Sequence, residues 1–338
     1  MLHQWSLSHA AWDGLLRAAE RLRGPAGTEP LLTGKRVAML LLNPSLRTRL
    51  SMEAACQDLG AHLLSAEPGS SWNFEWRSDV RMDGAAAEHL EEALGVLTGM
   101  SDAVALRAFA GLHDAAEDAA DPVLELAARA CPRPLLNLES AMDHPHQALA
   151  DALVLRDHFG GSPALHESAP RRRVVLSWAP HVKPLPMAVP QAALGAFLRE
   201  GHDVVLAHPP GFELDARVLT RVEALGAERG GTLETTHDRD AALDGAHVVY
   251  AKSWGARAHY GDVDAGATAV RAQPSWRVSE ADLARGDDAV FMHCLPVRRG
   301  VVVDADVLRG RRSLVQQQAA ARLPVQKATL CHALGVDP

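Results

Sequence analysis

Short apolar stretches alternate along the chain with segments in which apolar residues recur at helical spacing. The segments between the stretches, such as 215–229, are rich in Ala, Leu and Glu. The apolar stretches are 36–42, 61–66, 102–108 and 134–138 in the first half, and 174–178, 203–207, 232–236, 247–251 and 289–292 in the second. Strands that are apolar throughout and separated by helices are typical of parallel sheets covered on both faces. The pattern therefore predicts an α/β protein with two doubly wound parallel-sheet domains.

The join between the two halves is expected within 144–161, where a helical segment ends at two consecutive glycines. We therefore predict a first domain over residues 1–145 and a second over 146–312. The last segment, 313–338, has the composition of a helix. The stretch 67–83 is rich in Gly, Ser and Trp and is too long and irregular for a plain connection, so we predict a functional loop there.

Composition and charge limit the partners that the chain can have. The 338 residues are 47% hydrophobic and carry a net charge of −8, and nucleic acid, which binds clustered Lys and Arg, is therefore not an expected partner. Polar side chains interrupt Met1–Leu15, so we expect neither a signal peptide nor a membrane span, and a cytoplasmic protein. The four cysteines lack metal-type spacing and are expected to be reduced thiols, with no metal and no cofactor.

The segment Asn43–Arg49, with the sequence NPSLRTR, follows an apolar stretch and opens a helical one. The first N–H groups of a helix have no intrahelical acceptors, so a helix start of this kind binds anions. Ser45 and Thr48 add hydroxyl groups to the turn. Arg47 and Arg49 add guanidinium groups, which bind phosphate through two parallel hydrogen bonds. The segment is predicted to bind phosphate, although alone it is also compatible with a solvated helix cap.

Three further motifs follow in order along the chain: His144-Pro-His-Gln147, His293-Cys-Leu-Pro296, and Arg322 within ARLPVQK. Together with the SLRTR turn they resemble the aspartate/ornithine transcarbamylase family, whose signatures are Ser-Thr-Arg-Thr-Arg, His-Pro-x-Gln and His-Cys-Leu-Pro. The resemblance covers nearly the whole chain. It implies that 313–338 is a C-terminal helix packed on the first domain. It also implies transfer of a carbamoyl group from carbamoyl phosphate to an amine.

The resemblance assigns roles to residues at matching positions. The implied carbamoyl phosphate site consists of Ser45, Leu46, Arg47, Thr48, Arg107, His144, Gln147, Cys294, Leu295 and Arg322. The implied catalytic residues, which surround the reacting carbonyl or hold its amino group, are Thr48, Arg107, His144, Gln147 and Arg322. The implied acylornithine site consists of Trp72, Ala87, Glu139, Lys252, Cys294, Leu295 and Arg298.

The accepting amine is indicated by the segment Tyr250–Gly255, with the sequence YAKSWG. Ornithine transcarbamylases have an Asp-x-Trp-x-Ser-Met-Gly loop that meets a free α-amino group, whereas Lys252 would repel an ammonium and attract a carboxylate. Trp178–Leu185 and Trp72 also resemble the N-acetylornithine/N-succinylornithine branch, in which this tryptophan reaches the neighbouring subunit. The resemblance therefore implies an N-acylornithine carbamoyltransferase of arginine biosynthesis that acts on small-molecule substrates as a homotrimer.

Three positions depart from that branch. His146 stands where Cys or Thr is common. Val302 lies in the stretch where acetylornithine enzymes have a lysine. Ala87 replaces an acidic residue of the acetylornithine enzymes and a proline of the succinylornithine enzymes, and its small side chain leaves room for a longer acyl chain. The choice between acetyl and succinyl is open at this point.

Other interpretations of the same residues are open as well. Arg107 and Arg322 could be ordinary surface charges, and the spacing of His144 and His146 could indicate a metal, although no third ligand is evident nearby. Cys294 could be a nucleophile, but its neighbours supply no obvious base. An ornithine carbamoyltransferase and a non-catalytic anion-binding homologue are alternatives. A nicotinamide-dependent dehydrogenase is disfavoured, since no G-x-G-x-x-G follows a strand.

Overall fold

The computed structural model describes residues 1–24, 28–66 and 72–338, which fall into two compact units. The first unit consists of Met1–Ala110, Ala116–Leu149 and Arg322–Pro338, and the second of Gly111–Ala115 and Ala150–Ala321. Each unit has its own parallel sheet with helices between the strands. The predicted fold class is confirmed. The predicted domain limits 1–145, 146–312 and 313–338 stay predictions. The helix Pro145–Phe159 spans the predicted boundary between residues 145 and 146 without a break.

The first unit is built around a four-stranded parallel sheet with the order β2-β1-β5-β6, and two very short strands, β3 and β4, pair separately. Its elements are α1 (His9–Arg21), β1 (Arg36–Leu41), α2 (Leu46–Asp58), β2 (His62–Ala66), β3 (Phe74–Glu75), β4 (Glu88–His89), α3 (Leu90–Met100), β5 (Ala103–Arg107), α4 (Ala115–Ala120), α5 (Pro122–Ala130), β6 (Leu135–Glu139) and the start of α6 (Pro145–Phe159). The inner strands β1 and β5 form the buried centre.

The second unit has a five-stranded parallel sheet with the order β11-β10-β7-β8-β9. Its elements are β7 (Arg173–Trp178), α7 (Ala188–Arg199), β8 (Asp203–Ala207), α8 (Ala216–Ala227), β9 (Thr232–Thr236), α9 (Arg239–Leu243), β10 (Val248–Lys252), α10 (Val263–Arg271), α11 (Glu280–Ala284), β11 (Val290–Met292), α12 (Ala305–Arg309) and the first part of α13 (Val315–Ala333). Trp178 of β7 lies opposite Lys252 of β10, so both strands end at the same edge.

Two of the strands differ from the fully buried strands that the sequence predicts. In β2 and β9 no residue is buried, and exposed positions dominate both strands. Each lies at the end of its sheet and therefore pairs with one neighbour only. Edge position alone does not account for the exposure, because β6 and β11 also lie at the ends of the sheets and every residue in both is buried. Of the predicted loop 67–83, residues 67–71 lie outside the described residues, and the rest contains β3.

The helix boundaries follow from capping side chains. The predicted helix at 215–229 is α8, and the carboxylate of Asp215 accepts a hydrogen bond from the N–H of Arg217 at its start.

The predicted C-terminal helix is α13, whose residues from Arg322 onward group with the first unit. Among the helices of residues 1–24, 28–66 and 72–338, none is long and apolar enough to cross a membrane.

Candidate functional site

The predicted phosphate turn lies where β1 ends and α2 begins. Ser45 is the N-cap residue, with an extended backbone, and its hydroxyl oxygen accepts a hydrogen bond from the N–H of Thr48 at 3.3 Å. The cap therefore fixes the first turn of α2, whose N-terminus carries the positive end of the helix dipole. The Leu46 side chain is 70% exposed and can contribute to a bound anion only through its backbone.

Polar side chains gather at the carboxyl ends of neighbouring strands beside this turn. Arg107 is the last residue of β5, and it lies opposite Leu41 of β1 on one side and Glu139, the last residue of β6, on the other. His144 follows β6, just before α6. Ligands of parallel α/β sheets bind at this edge. Although Arg107, Glu139 and His144 are charged or polar, each is less than one-tenth exposed.

The hydroxyl group of Thr48 joins two arginines from distant parts of the chain. Its oxygen accepts a hydrogen bond from Nη1 of Arg107 and another from Nη2 of Arg322, each at 3.3 Å. A hydroxyl has two acceptor lone pairs and one hydrogen to donate. Because both lone pairs of Thr48 are occupied, its hydrogen remains for a third group. The hydroxyl of Thr48, which is 1% exposed, is therefore able to donate one hydrogen bond.

Glu139 and Gln147 hold the same two guanidinium groups from the other side. Oε2 of Glu139 lies 2.6 Å from Nη1 of Arg107 and 3.5 Å from Nε2 of His144. Nη1 of Arg322 donates to Oε1 of Gln147 at 3.1 Å and lies 3.4 Å from Nε2 of His144. The guanidinium of Arg107 also stacks on the ring of Phe109, 4.4 Å from its centroid. The catalytic residues that the sequence predicts are therefore brought together.

The surroundings of His144 favour the uncharged form of its imidazole. Burial lowers the pKa of its imidazole well below the usual value, and the charges of Arg322 and Arg107 lower that pKa further. Arg47 is close enough to contribute in the same direction. A neutral imidazole can donate one N–H hydrogen bond without bringing a charge. Three guanidinium groups, of Arg47, Arg107 and Arg322, bring positive charge close to His144, which suits an anion such as phosphate.

Some residues of this site were not predicted from the sequence. Asp143 accepts a hydrogen bond from the N–H of His144 at 2.8 Å and another from the N–H of Gln4 at 2.6 Å, and burial raises the pKa of its carboxyl to about 8. Oδ1 of Asn43 accepts from the N–H of Phe109 at 2.7 Å and so fixes the chain after Arg107. The signal for both was their position beside a motif residue.

The second unit gathers a different group at the ends of β7, β10 and β11. Lys252 ends β10 and is 8% exposed. Cys294 and Leu295 follow β11, and Leu295 has a left-handed backbone with φ of 58°. Nε of Arg298 donates to Nε2 of His181 at 3.2 Å. His181, which the sequence interpretation left out of the site, has a pKa lowered by burial and by the charges of Lys252 and Arg298. This group is cationic and suits a carboxylate.

Trp72 lies just before β3 and Ala87 just before β4. Nε1 of Trp72 donates to Oε2 of Glu88 at 2.7 Å within the same chain, and the indole is 58% exposed. The N–H of Ala87 donates to the carbonyl of Asn73 at 3.1 Å. Within residues 1–24, 28–66 and 72–338, no three His, Cys, Asp or Glu side chains are arranged to hold a metal ion.

Comparison with known proteins places these features in a family. Residues 1–157 match the family described as aspartate/ornithine carbamoyltransferase, carbamoyl-P binding domain, and residues 189–333 match its Asp/Orn binding domain. The N-acetylornithine carbamoyltransferase of Xanthomonas campestris is 38% identical over 97% of this chain and 95% of its own. The N-succinylornithine carbamoyltransferase of Bacteroides thetaiotaomicron is 33% identical over 85% of this chain and 84% of its own. A crystal structure of acetylornithine transcarbamylase with acetylcitrulline has a TM-score of 0.92 and 37% identity, over 98% of both chains.

Proposed function

The chain belongs to the aspartate/ornithine carbamoyltransferase family, and we propose that it transfers the carbamoyl group of carbamoyl phosphate to the side-chain amine of an N-acylornithine. The products are N-acylcitrulline and phosphate, in arginine biosynthesis in the cytoplasm. The observation that carries the proposal is the pair of hydrogen bonds from Arg107 and Arg322 to the hydroxyl of Thr48. That arrangement directs the hydroxyl hydrogen to a ligand and places two cations beside it.

Carbamoyl phosphate would bind with its phosphate at the start of α2. Ser45, the backbone of Leu46, and the guanidinium groups of Arg47 and Arg107 would hold the dianion, because helix N-termini and guanidinium groups both favour negative charge. The carbonyl oxygen would then face Thr48, His144 and Arg322. Gln147, with the backbone carbonyls of Cys294 and Leu295, would accept hydrogen bonds from the carbamoyl amino group.

The reaction then proceeds through a tetrahedral carbon. The side-chain amine of the acceptor attacks the carbonyl carbon, a C–N bond forms, and the former carbonyl oxygen becomes an anion. Hydrogen bonds from Thr48 and neutral His144, with the charge of Arg322, stabilise that oxyanion. The C–O bond to phosphate breaks, and the departing phosphate takes the proton from the attacking nitrogen. Glu139, close to Arg107 and His144, would accept a hydrogen bond from the amine and orient it.

The other end of the acceptor would bind to the cationic group of the second unit. Lys252, Arg298 and the N–H groups near them suit the α-carboxylate, and an acylated α-nitrogen brings no opposing positive charge. A free α-ammonium would face the charge of Lys252, which is only 8% exposed. The acylated acceptor is therefore favoured over ornithine.

The side chain at position 87 bears on which acyl group the site accepts. Both named relatives act, by their names, on acylated ornithines, one acetylated and one succinylated. A methyl side chain at position 87 neither fills the space that a longer acyl chain needs nor repels a terminal carboxylate. We therefore propose that the site accepts N-succinylornithine as well as N-acetylornithine.

One assay tests the function. Carbamoyl phosphate is supplied with ornithine, N-acetylornithine and N-succinylornithine in parallel, and the ureido product and released phosphate are measured. With at least one of the two acylated acceptors, we expect the ureido compound and phosphate to form in equal amounts. With ornithine, we expect little of either product. If product forms with ornithine and with neither acylated acceptor, the protein is an ordinary ornithine carbamoyltransferase and the proposal is wrong. No transfer to any acceptor would favour a non-catalytic homologue.

We further propose a homotrimer in which Trp72 reaches the active site of a neighbouring subunit. Its largely exposed indole is compatible with this role. Trp72→Ala and Arg322→Ala subunits, each inactive alone, are unfolded together and refolded as a mixture. If the site combines Trp72 of one subunit with Arg322 of another, mixed oligomers contain intact sites and regain activity. A mixture as inactive as its components would show that both residues act in one chain.

A further inference from the structure

His146 has no exposed surface and makes two side-chain hydrogen-bond contacts in opposite directions. Nδ1 lies 3.0 Å from the carbonyl oxygen of Asn137, in β6. Nε2 lies 2.9 Å from Oγ1 of Thr329, in α13. His146 is 0% exposed and Thr329 is 1% exposed. The imidazole therefore spans from the strand that leads to the active-site loop to the helix that carries Arg322.

The partners decide which nitrogen carries the hydrogen. A backbone carbonyl can only accept, so Nδ1 of His146 must donate to Asn137. Nε2 of the neutral ring is then an acceptor, and the hydroxyl of Thr329 must donate to it. That hydroxyl also lies 3.0 Å from the carbonyl of Gln326, which is within its own helix. The single hydroxyl hydrogen is better used at Nε2, because a buried Nε2 without a donor would be costly.

The hydrogen bond to Thr329 is one of several that fasten this part of α13. Nε2 of Gln326 donates to the hydroxyl of Ser51 at 3.3 Å, and Nζ of Lys327 lies 2.6 Å from Oδ2 of Asp58. Both of these contacts bind α13 to α2. The contact with His146 binds it to α6, in addition to the contacts that Arg322 itself makes with His144 and Gln147. The imidazole therefore gives α13 a second attachment to the segment that carries those two residues.

We propose that His146 is a positioning residue, which through Thr329 holds α13 so that Arg322 stays aligned with His144 and Gln147. The proposal rests on the proposed function for its catalytic consequence. A cysteine or threonine at position 146 would be too short to reach both Asn137 and Thr329. This chain thus holds Arg322 by a contact that a side chain of that size could not make. Burial keeps the ring neutral and lowers its pKa to about 3, in agreement with the hydrogen-bond pattern.

The test removes one hydroxyl group with little change of shape. Thr329→Val deprives Nε2 of its donor, and we expect kcat to fall about 10- to 100-fold, the usual consequence of misplacing a catalytic group. The KM for carbamoyl phosphate should change less than kcat does, since the proposed phosphate contacts lie at the start of α2 and Arg322 of α13 faces the carbonyl oxygen. Thr329→Ser keeps the hydroxyl and should keep kcat.

Thr98→Val is the matched control. Thr98 is also buried in a helix, and its hydroxyl also bonds to the carbonyl three residues earlier, at 3.0 Å. Its hydroxyl bonds to Gly95 and not to a histidine, so Thr98→Val should lower the melting temperature as Thr329→Val does while leaving kcat unchanged. Equal kcat in wild type and Thr329→Val would overturn the proposal. If Thr329→Val does not fold, His146→Thr breaks the same pair and is judged by the same criterion.

A second measurement does not depend on activity. In ¹⁵N NMR spectra the histidine signal that is absent from His146→Thr should report a neutral ring with its hydrogen on Nδ1 from pH 7 down to pH 5. A hydrogen on Nε2, or a charged ring, would refute the hydrogen-bond arrangement. If the wild-type protein transfers no carbamoyl group to any acceptor, the proposed function is wrong, and the NMR result still decides whether His146 holds Thr329 as described.

Discussion

Replacing Thr48 by valine removes one hydroxyl group and nearly nothing else. The hydroxyl accepts from Arg107 and Arg322 and so has only its hydrogen left for the substrate. Losing one such donor to an oxyanion lowers kcat by about 10²–10³, or about 2.7–4 kcal/mol in activation free energy. Both guanidinium groups keep a second partner, Glu139 and Gln147 respectively, and therefore stay in place. We expect the free energy of unfolding to fall by only about 1–3 kcal/mol.

The assay is steady-state release of phosphate with saturating acceptor, compared among wild type, Thr48→Val and Thr48→Ser. Serine keeps the hydroxyl and should retain most of the kcat. Circular dichroism and the melting temperature establish that each variant is folded. If Thr48→Val is folded and its kcat lies within about threefold of wild type, the hydroxyl does not donate in the transition state, and the assignment of the oxyanion position is wrong.

Four further predictions can be checked directly. Arg47→Ala should weaken carbamoyl phosphate binding, measured calorimetrically, without unfolding the protein, whereas unchanged affinity would contradict the phosphate turn. Lys252→Glu should cost about 2–5 kcal/mol in N-acylornithine affinity, and preference of the wild type for free ornithine would contradict the role of that lysine. Ala87→Glu should lower kcat/KM for N-succinylornithine more than for N-acetylornithine, and equal effects would remove Ala87 from the acyl pocket. The folded pKa of His146, about 3, lies below its usual 6.5, so the unfolded state binds the extra proton, and stability present above pH 6.5 is lost as the pH falls. Between pH 7 and pH 5 that loss is about 2 kcal/mol, and urea unfolding should show a correspondingly smaller loss in His146→Thr.

The sequence predicted the limits of the strands well and their burial less well. The inner strands β1, β5, β7, β8 and β10 begin and end within a residue of the predicted stretches, since a central parallel strand is apolar on both faces and its ends are marked by polar residues. β2 and β9 were predicted to be buried and are exposed. Strand order determines which strand is at the edge, and it depends on pairing between segments far apart in the chain.

The sequence likewise predicted some residues of the site and not others. The resemblance brought Arg322 and Thr48 into one site although 274 residues separate them, and the structure places them in contact. His181, the partner of Arg298, lies in the segment Trp178–Leu185. The sequence assigns it no role, because nothing in that segment shows that it contacts an arginine 117 residues away. Asp143 was missed for another reason. Its carboxylate serves backbone N–H groups, which leave no signature in residue type.

The two hydrogen bonds of Thr48 also set an order of events during synthesis on the ribosome. One arginine, Arg107, is made 59 residues after Thr48, but Arg322 follows only after all of the second unit has been synthesised. The second unit, Ala150–Ala321, is continuous apart from a short segment and can fold as it emerges, whereas the first is interrupted and lacks its last part until the C-terminal helix appears. A nascent or prematurely terminated chain that stops before residue 322 therefore has the phosphate turn without the guanidinium of Arg322. Under the proposed function such a chain could bind an anion but lacks one of the groups that stabilise the oxyanion, so full activity requires translation past residue 322.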